Sequence, residues 1–167
     1  TNDTSCYGYT THFHALNLAE GDSLYSVSWN FGDPNSGSNN HSLLYNPSHT
    51  FTTPATYVVK LKAWNTDNCV DSIYKEVTVY ALPEPAFSFV SSPCDSVISF
   101  TDMSLAGANS ISSWEWNFGD GTPPEVITAP GPGSTSHIYT DIGEYIVTLI
   151  ITNANGCVDS ITDTVER

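Results

Sequence analysis

Two copies of one pattern follow each other along this chain of 167 residues. The motif Trp-Asn-Phe-Gly-Asp at 29–33 recurs at 116–120, an offset of 87 (116 − 29). Cys-Val-Asp-Ser-Ile at 69–73 recurs unchanged at 157–161, an offset of 88 (157 − 69). Each copy has about 80 residues, which is enough for a small domain. The repeat therefore predicts two tandem domains of the same fold.

The junction between the copies contains two prolines, Pro83 and Pro85. Proline fixes its own φ and restricts the residue before it, so this segment is expected to be extended and semi-rigid. We predict a first domain at residues 1–81, a linker at 82–85 and a second domain at 86–167.

Apolar and polar residues alternate within each copy. Residues 57–64 place Tyr, Val, Leu and Ala on one face, and Val, Lys, Lys and Trp on the other. Residues 145–151 repeat this alternation, and Trp114, Trp116 and Phe118 also share a face. A period of two with Gly-, Pro- and Asn-rich turns indicates antiparallel sheets with one buried face. We predict an all-β chain of two immunoglobulin-like β-sandwiches, with about seven strands each.

Basic residues are scarce. Lys60, Lys62, Lys75 and Arg167 stand against 18 carboxylates, and the formal net charge is −14. So few cations exclude nucleic-acid binding and electrostatic docking to an anionic membrane. No apolar run approaches the roughly 20 residues that a spanning helix needs, so no membrane insertion is expected.

Each copy has one early and one late cysteine. Cys6 and Cys69 are 63 residues apart (69 − 6), as are Cys94 and Cys157 (157 − 94). The matched spacing favours the bridges Cys6–Cys69 and Cys94–Cys157 over the two other connectivities. A zinc site is the weaker alternative, because no Cys-x-x-Cys pair is present. Disulfides predict an oxidising environment, with the protein secreted or at the cell surface.

The order Trp-x-Phe-Gly-Asp-Gly, His-x-Tyr and Gly-x-Tyr-x-Val-x-Leu resembles the PKD (polycystic kidney disease) domain family. Copy two carries all three motifs, at residues 116–121, 137–139 and 143–149. Copy one departs from them at Pro34 and Ala55, where copy two has glycine. Because alanine resists positive φ, these departures predict altered turns within an unchanged fold.

The resemblance implies a non-catalytic spacer, stalk or adhesive repeat in a larger secreted or cell-surface bacterial protein. The alternative is a carbohydrate-binding or accessory module beside an extracellular polysaccharide hydrolase or protease. Partners would be other domains of the same polypeptide, or protein or glycan ligands at the cell surface. Residues 155–160 also resemble repeats of Bacteroidetes surface proteins, which often carry a type IX secretion signal and serve gliding or adhesion.

The motif residues have structural interpretations of their own. Trp29 and Trp116 are expected to fill the space between two sheets, close to the disulfides. The hydroxyls of Tyr57 and Tyr145 are expected to make tyrosine-corner contacts. The remaining members are Phe31, Gly32, Phe118, Gly119, Gly121 and Gly143.

Calcium is the cofactor to consider, since some family members bind it and acidic loops are plentiful here. The candidate ligands are Asp33, Asp71, Asp102, Asp120 and Asp159. However, calcium takes six to eight oxygens, and no Asp-x-Asp-x-Asp-Gly run is present. The alternative is that these aspartates accept backbone N–H bonds in turns and keep the surface soluble, with no cofactor required.

Three further features are candidate sites. His12 and His14 share a strand face at a spacing that suits two metal ligands, or they are simply two exposed imidazoles beside a buried Phe13. Trp64 either stacks on a sugar or docks a partner, or packs under a loop or against the neighbouring domain. The Asp-Ser-Ile segments at 71–73 and 159–161 resemble a Bacteroidetes glycosylation acceptor, or are ordinary strand.

Catalytic motifs are missing from the sequence. Neither Gly-x-Ser-x-Gly nor His-Glu-x-x-His occurs, and a sandwich of 80 residues leaves little room for a substrate cleft. We therefore expect this chain not to be an enzyme.

Overall fold

The computed structural model describes residues 3–15, 24–91 and 95–167. The chain divides into two compact units, Thr1–Ala81 (unit 1) and Leu82–Arg167 (unit 2). Seven strands are found in the described part of each unit. No helix among the described residues is long and apolar enough to span a membrane.

Unit 1 is built from two sheets. Its strands are β1 (Asp3–Cys6), β2 (Thr11–His12), β3 (Leu24–Asn30), β4 (His41–Ser42), β5 (Ser48–His49), β6 (Ala55–Asn65) and β7 (Val70–Tyr80). One sheet has the order β1-β7-β6-β3-β4, and the other pairs β2 with β5. A 3-10 helical segment, Pro34–Asn40, connects β3 to β4.

Unit 2 is also built from two sheets, but these have four and three strands in its described part. Its strands are β8 (Phe87–Val90), β9 (Val97–Asp102), β10 (Ile111–Asn117), β11 (Glu125–Thr128), β12 (Thr135–Ile138), β13 (Glu144–Asn153) and β14 (Val158–Glu166). The sheet orders are β11-β10-β13-β14 and β12-β9-β8. The predicted all-β fold of two tandem immunoglobulin-like sandwiches is confirmed.

The core of each unit forms around the Trp-x-Phe pair of its central strand. Trp116 and Phe118 are buried with ring centroids 6.4 Å apart, and Trp29 and Phe31 repeat that distance in unit 1. Alternation along the strand turns both rings to the inner face, where Phe100 of β9 meets Trp116 at 5.4 Å. Large aromatic rings that fill this space supply much of the buried apolar area.

The sequence repeat corresponds to a repeat of strand register. Lys60 lies opposite Tyr74 in the β6–β7 hairpin, and Thr148 lies opposite Thr162 in the β13–β14 hairpin. Both partners are displaced by 88 residues (148 − 60 and 162 − 74). Any position in β6 or β7 can therefore be compared directly with its counterpart in unit 2.

The alternation predicted antiparallel sheets, but the larger sheet of unit 1 also contains a parallel pair. β1 runs parallel to β7, with partners from Asp3 and Val77 to Cys6 and Tyr80. Alternation shows which face of a strand is buried but carries no information on strand direction, so this pairing could not be predicted from it.

Ala55 leaves the turn before it undisturbed, contrary to expectation. Its counterpart Gly143 does not have a left-handed φ, so alanine replaces it without strain. Gly121 does have a φ of +85°, and here the departure changes the structure. Pro34 stands in its place and begins the 3-10 segment instead of a tight turn.

Residues 82–85, predicted as a linker, fall within unit 2. Glu84 and Leu105 exchange two backbone hydrogen bonds, of 2.8 and 2.9 Å, in an antiparallel bridge. The prolines on either side of Glu84 leave its N–H free to make this bridge.

The glycine of each Gly-Asp turn lies against the neighbouring strand. Gly119 has a φ of +76°, and a Cβ at this position would overlap the carbonyl oxygen of Ile146 in β13. Gly32 is equivalent in unit 1, where a Cβ would lie 2.6 Å from the oxygen of Val58. Gly121 also has a positive φ, but nothing lies within 4 Å of its Cβ position.

Gly119 and Gly121 give a matched test of how closely the turn packs against β13, because both have a positive φ but only Gly119 lies against the strand. We expect Gly119→Ala to lower the free energy of unfolding by about 3 kcal/mol, because left-handed strain and overlap with backbone add together. Gly121→Ala should cost only about 1 kcal/mol, from the strain alone. Urea unfolding of the 167-residue chain measures both, and equal losses would contradict the packing described.

Candidate functional site

An aspartate–histidine pair follows the central strand of each unit. Asp33 Oδ2 lies 3.1 Å from His49 Nε2, and Asp120 Oδ2 lies 2.7 Å from His137 Nε2. The aspartate ends the Trp-Asn-Phe-Gly-Asp motif, and the histidine comes from the opposing sheet, in β5 or β12. The pair therefore connects the two sheets of its sandwich.

Each carboxylate also accepts two hydrogen bonds from a threonine. Asp33 accepts hydrogen bonds from the N–H and the hydroxyl of Thr52, at 3.0 and 2.6 Å. Asp120 accepts the same two bonds from Thr122, also at 3.0 and 2.6 Å. In unit 2 the threonine belongs to the turn itself, whereas in unit 1 it follows β5 because Pro34 diverts the turn.

Each imidazole is held between aromatic rings. His49 stacks on Phe31 with centroids 4.4 Å apart, and His137 stacks on Phe118 at 4.0 Å. Tyr139 meets the edge of His137 at 4.7 Å. His49 is 4% exposed, so little of the imidazole surface reaches solvent. The geometry joins sheets and does not form a nucleophile–base arrangement.

Hydrogen bonding outweighs burial at both carboxylates. Burial pushes the pKa of Asp120 up, but bonds from Thr122 and His137 hold that pKa at about 2, below its ordinary 3.8. The pKa of Asp33 is lowered for the same reasons, with Thr52 and His49 as donors. Burial, and then the charge of Asp120, raise the pKa of the Tyr139 hydroxyl. That hydroxyl therefore stays protonated and donates to the carbonyl of Phe118 at 2.9 Å.

Sequence reasoning identified the aspartates as turn-forming residues but missed their histidine partners. The signal was present, because His49 and His137 recur at an offset of 88 and the aspartates at 87. A polar pair that recurs together with a buried aromatic motif is a candidate for a contact across the core.

The motif tyrosines and tryptophans bond to backbone carbonyls. The Tyr57 hydroxyl donates to Thr53 O at 2.7 Å, and the Tyr145 hydroxyl donates to Asp141 O at 2.9 Å, as in a tyrosine corner. Trp29 Nε1 donates to Leu44 O at 3.0 Å and Trp116 Nε1 to Gly133 O at 2.9 Å. These bonds satisfy the polar ends of rings that are otherwise buried.

A cleft of about 310 Å³ opens in unit 1 beside the Asp33–His49 pair. Its lining includes Phe31, His41, Ser42, Leu44 and His49. The hydrogen bond from Trp29 Nε1 to Leu44 O helps to fix the position of Leu44 in this lining.

The five candidate calcium ligands are not brought together. Among the described residues, no three His, Cys, Asp or Glu side chains lie close enough to hold a metal ion. Asp102 accepts a bond from Trp114 Nε1 at 2.7 Å, while Asp71 and Asp159 each accept the N–H of the following serine. In their described positions, these five aspartates do not together supply the six to eight oxygens that calcium requires.

The two strand histidines make no metal cluster with other described residues. His14 Nδ1 lies 3.3 Å from Asn46 Oδ1, and both imidazoles are exposed. Phe13 is buried between them, 5.5 Å from the ring of Trp29.

The predicted bridge Cys6–Cys69 is wrong. Cys69 has a free, exposed thiol, whereas Cys6 belongs to a disulfide, as does Cys157 of the predicted bridge Cys94–Cys157. Cys6 lies opposite Tyr80 at the end of β7, and Cys69 immediately precedes its start. A strand of eleven residues separates its ends by about 33 Å, far beyond the reach of a disulfide. Cys94 lies outside the described residues.

Trp64 lies on the outer face of β6, which is the face its alternation with Leu61 predicts. Its side chain is half-buried, and Lys62 Nζ lies 4.7 Å from the ring centroid. Part of its surface is therefore covered by the neighbouring lysine.

A family model described as "PKD domain" matches residues 1–80 and 88–167. The chain belongs to the PKD domain family. It carries two tandem copies, whose limits agree with the two structural units. Domains of this family are typically non-catalytic modules of larger extracellular proteins.

Solved structures include PKD domains and longer β-sandwich arrays. The PKD1 domain of Vibrio anguillarum Epp shares 23% identity, over 52% of this chain and 94% of that one, with a TM-score of 0.46. The PKD1 domain of the Vibrio cholerae metalloprotease PrtV shares 24%, over 51% and 95%, with a TM-score of 0.44. Fibronectin(III)-like modules of Clostridium thermocellum CbhA share 15%, over 99% and 87%, with a TM-score of 0.53, which shows a common fold.

The Asp120–His137 pair should make unit 2 sensitive to acid. The folded pKa of Asp120 lies below its unfolded value of 3.8, so its stabilisation is present above pH 4 and is lost as the pH falls toward 2. Asp120→Asn should lower the free energy of unfolding by about 2 kcal/mol at pH 7 and flatten this acid dependence.

Urea unfolding from pH 7 to pH 2 measures this effect. Asp163→Asn is the matched control, since that exposed carboxylate accepts only the N–H of Thr164; it should change stability by less than about 0.5 kcal/mol. An unchanged acid profile in Asp120→Asn would contradict the assignment.

The cysteine assignment predicts selective labelling. Iodoacetamide should modify Cys69 in the native, unreduced chain, whereas Cys6 and Cys157 should react only after reduction and unfolding. Peptide mass spectrometry locates the labels, and Cys69→Ser should remove the label from this position. A peptide that links Cys69 to Cys6 would show the original prediction to be right.

Proposed function

We propose that this chain is a non-catalytic spacer and interaction module of a larger secreted or cell-surface bacterial protein. Two PKD domains in tandem, and Asp–His pairs that join the two sheets of each sandwich, support a structural role for the chain. The observation that carries the proposal is where the chain enters and leaves unit 2.

Entry to unit 2 lies at one end of its sandwich. The backbone of Leu82 passes directly against Gly107. The neighbouring Ala106 accepts a bond from Asn153 Nδ2, and Ala154 N–H donates to Ser110 O. The incoming chain is thus level with Asn153, the last residue of β13.

Exit from unit 2 lies at the other end. Arg167 and Gly143 exchange two backbone hydrogen bonds, immediately before β13 begins at Glu144. β13 has ten residues, so entry and exit are about 30 Å apart. A domain that takes in the chain at one end and releases it at the other lengthens the polypeptide by its own length.

The cysteines support an extracytoplasmic location. Cys6 and Cys157 each belong to a disulfide, and structural disulfides persist in oxidising compartments such as the periplasm or the cell exterior. Within this proposal, the partners are other domains of the same polypeptide, and surface export by the type IX route is compatible with it.

Spin labels test the spacer proposal. With Cys69 and Cys94 both replaced by serine, labels at Glu84→Cys and Glu166→Cys should give one narrow distance distribution centred near 30 Å. The control pair, Glu144→Cys with Glu166→Cys, occupies directly opposed strand positions and should give strong dipolar broadening at about 5 Å. A broad or short distribution for the first pair would refute a spacer role.

A further inference from the structure

Unit 1 carries on its outer surface a set of side chains that its fold does not require. Lys60, Lys62 and Trp64 point outward from β6, and Tyr74 points outward from the adjacent β7. We call these four residues the lysine–aromatic face. They alternate with the inward Tyr57, Val59, Leu61 and Ala63, which contribute to the core.

Unit 2 shows that the fold forms without them. The register places Thr148, Ile150, Thr152 and Thr162 at the equivalent positions of β13 and β14. Those strands pair in the same register, although their outward positions hold neither a cation nor an aromatic ring. The four side chains of unit 1 are therefore not explained by stability.

Within the lysine–aromatic face, charge and aromatic surface are held together. Lys62 Nζ lies 4.7 Å from the Trp64 ring centroid, and Lys60 Nζ lies 5.2 Å from that of Tyr74. Such cation–π contacts orient a flexible ammonium group beside a ring. Tyr74 is 60% exposed, so much of its ring is open to a ligand.

Hydrogen-bonding groups border the lysines in neighbouring strands. Lys62 lies between Ser28 of β3 and Ser72 of β7, and Lys60 lies between Asn30 and Tyr74. Among the outward positions of β3, β6 and β7, the one carboxylate is Glu76, opposite Val58 and beyond the lysine pair. Within these three strands the face thus combines two lysines with one carboxylate, and hydroxyl and amide groups lie beside the lysines.

Unit 1 is the less acidic of the two units, although both carry a net negative charge, so an anion can be held only where lysines lie close to it. Residues 1–81 contain three lysines and seven carboxylates, net −4, whereas residues 82–167 contain one arginine and eleven carboxylates, net −10. At the equivalent surface of unit 2, Glu115 lies beside Ile150. With a Debye length of about 8 Å at physiological salt, the lysines nearest a ligand dominate its binding.

We propose that the lysine–aromatic face binds an anionic polysaccharide, one built of sugars that carry carboxylate or sulfate groups. The ammonium groups of Lys60 and Lys62 pair with the anionic substituents. The rings of Trp64 and Tyr74 contact the apolar faces of the pyranose rings, and the serine and asparagine side chains bond sugar hydroxyls. Lys60 and Trp64 are four residues apart, about 13 Å along the strand, so the site is extended and suits a polymer. This proposal does not depend on the spacer role.

Binding of the 167-residue chain to four polymers tests the proposal. Polygalacturonate and dextran sulfate supply the two kinds of anionic sugar, neutral dextran supplies sugar without charge, and polyglutamate supplies charge without sugar. We expect binding to at least one anionic glycan, at least tenfold tighter than to dextran or polyglutamate, and weakened at least tenfold between about 20 mM and 0.5 M NaCl. Which anionic glycan binds decides between carboxylate and sulfate.

Substitution by the residues of unit 2 locates the site. Trp64→Thr and the pair Lys60→Thr with Lys62→Ile should each weaken binding about tenfold at low salt. Lys75→Thr removes the same charge from the opposite side of β7, since Lys75 lies opposite Val59, and should change affinity less than about twofold. If Trp64→Thr fails to fold, Lys60→Gln with Lys62→Gln leaves both rings in place and tests the site alone.

Three outcomes would overturn the proposal. One is no binding to either anionic glycan, and another is polyglutamate binding as tight as that of the glycans, which would indicate an acidic protein as the partner. The third is an affinity unchanged by the substitutions of Trp64 and of the lysine pair while Lys75→Thr weakens it.

Discussion

The structure depends on one constraint, which is that Trp and Phe at alternate positions of a central strand must both be buried between two sheets. In unit 2, Trp116 and Phe118 are fully enclosed, and the strand then turns at Gly119 tightly against β13. This turn delivers Asp120 to a histidine of the other sheet, and that histidine stacks back on Phe118. Hydrophobic burial and a buried polar link are thus parts of a single arrangement that joins the sheets.

Comparing the two copies distinguishes the features that both units share from the residues found in only one of them. Both units keep the ring pair, the close-packed glycine, the Asp–His link and the tyrosine corner. They differ on the outer face of the long hairpin, where unit 1 has Lys62 and Trp64 and unit 2 has Ile150 and Thr152. A scaffold stabilised from within leaves its outer faces free to vary, and binding properties arise there.

Much of the fold could be predicted because alternation and turn residues act locally. The two sandwiches, their core rings and the outward position of Trp64 all follow from a period of two along each strand. The cysteines could not be paired in this way, since equal spacing shows only that Cys69 and Cys157 are equivalent in sequence. The length of β7 separates Cys6 from Cys69, and that length is a property of the folded sheet. The sequence also suggested that Ala55 would alter its turn, because copy two has a glycine there. That glycine, Gly143, does not have a positive φ, so alanine fits the same backbone.

The sequence by itself determined that this protein is a tandem pair of β-sandwiches with few cations, because repeats, periodicity and charge are properties of the chain. Only the tertiary structure decided which polar groups meet. Asp120 finds His137 across the core, and Lys60 lies beside Tyr74 on the surface. Such contacts join residues that are distant in sequence, and their geometry is set by how whole strands align in register. Local patterns show which side of a strand a residue occupies, but not which residue lies beside it.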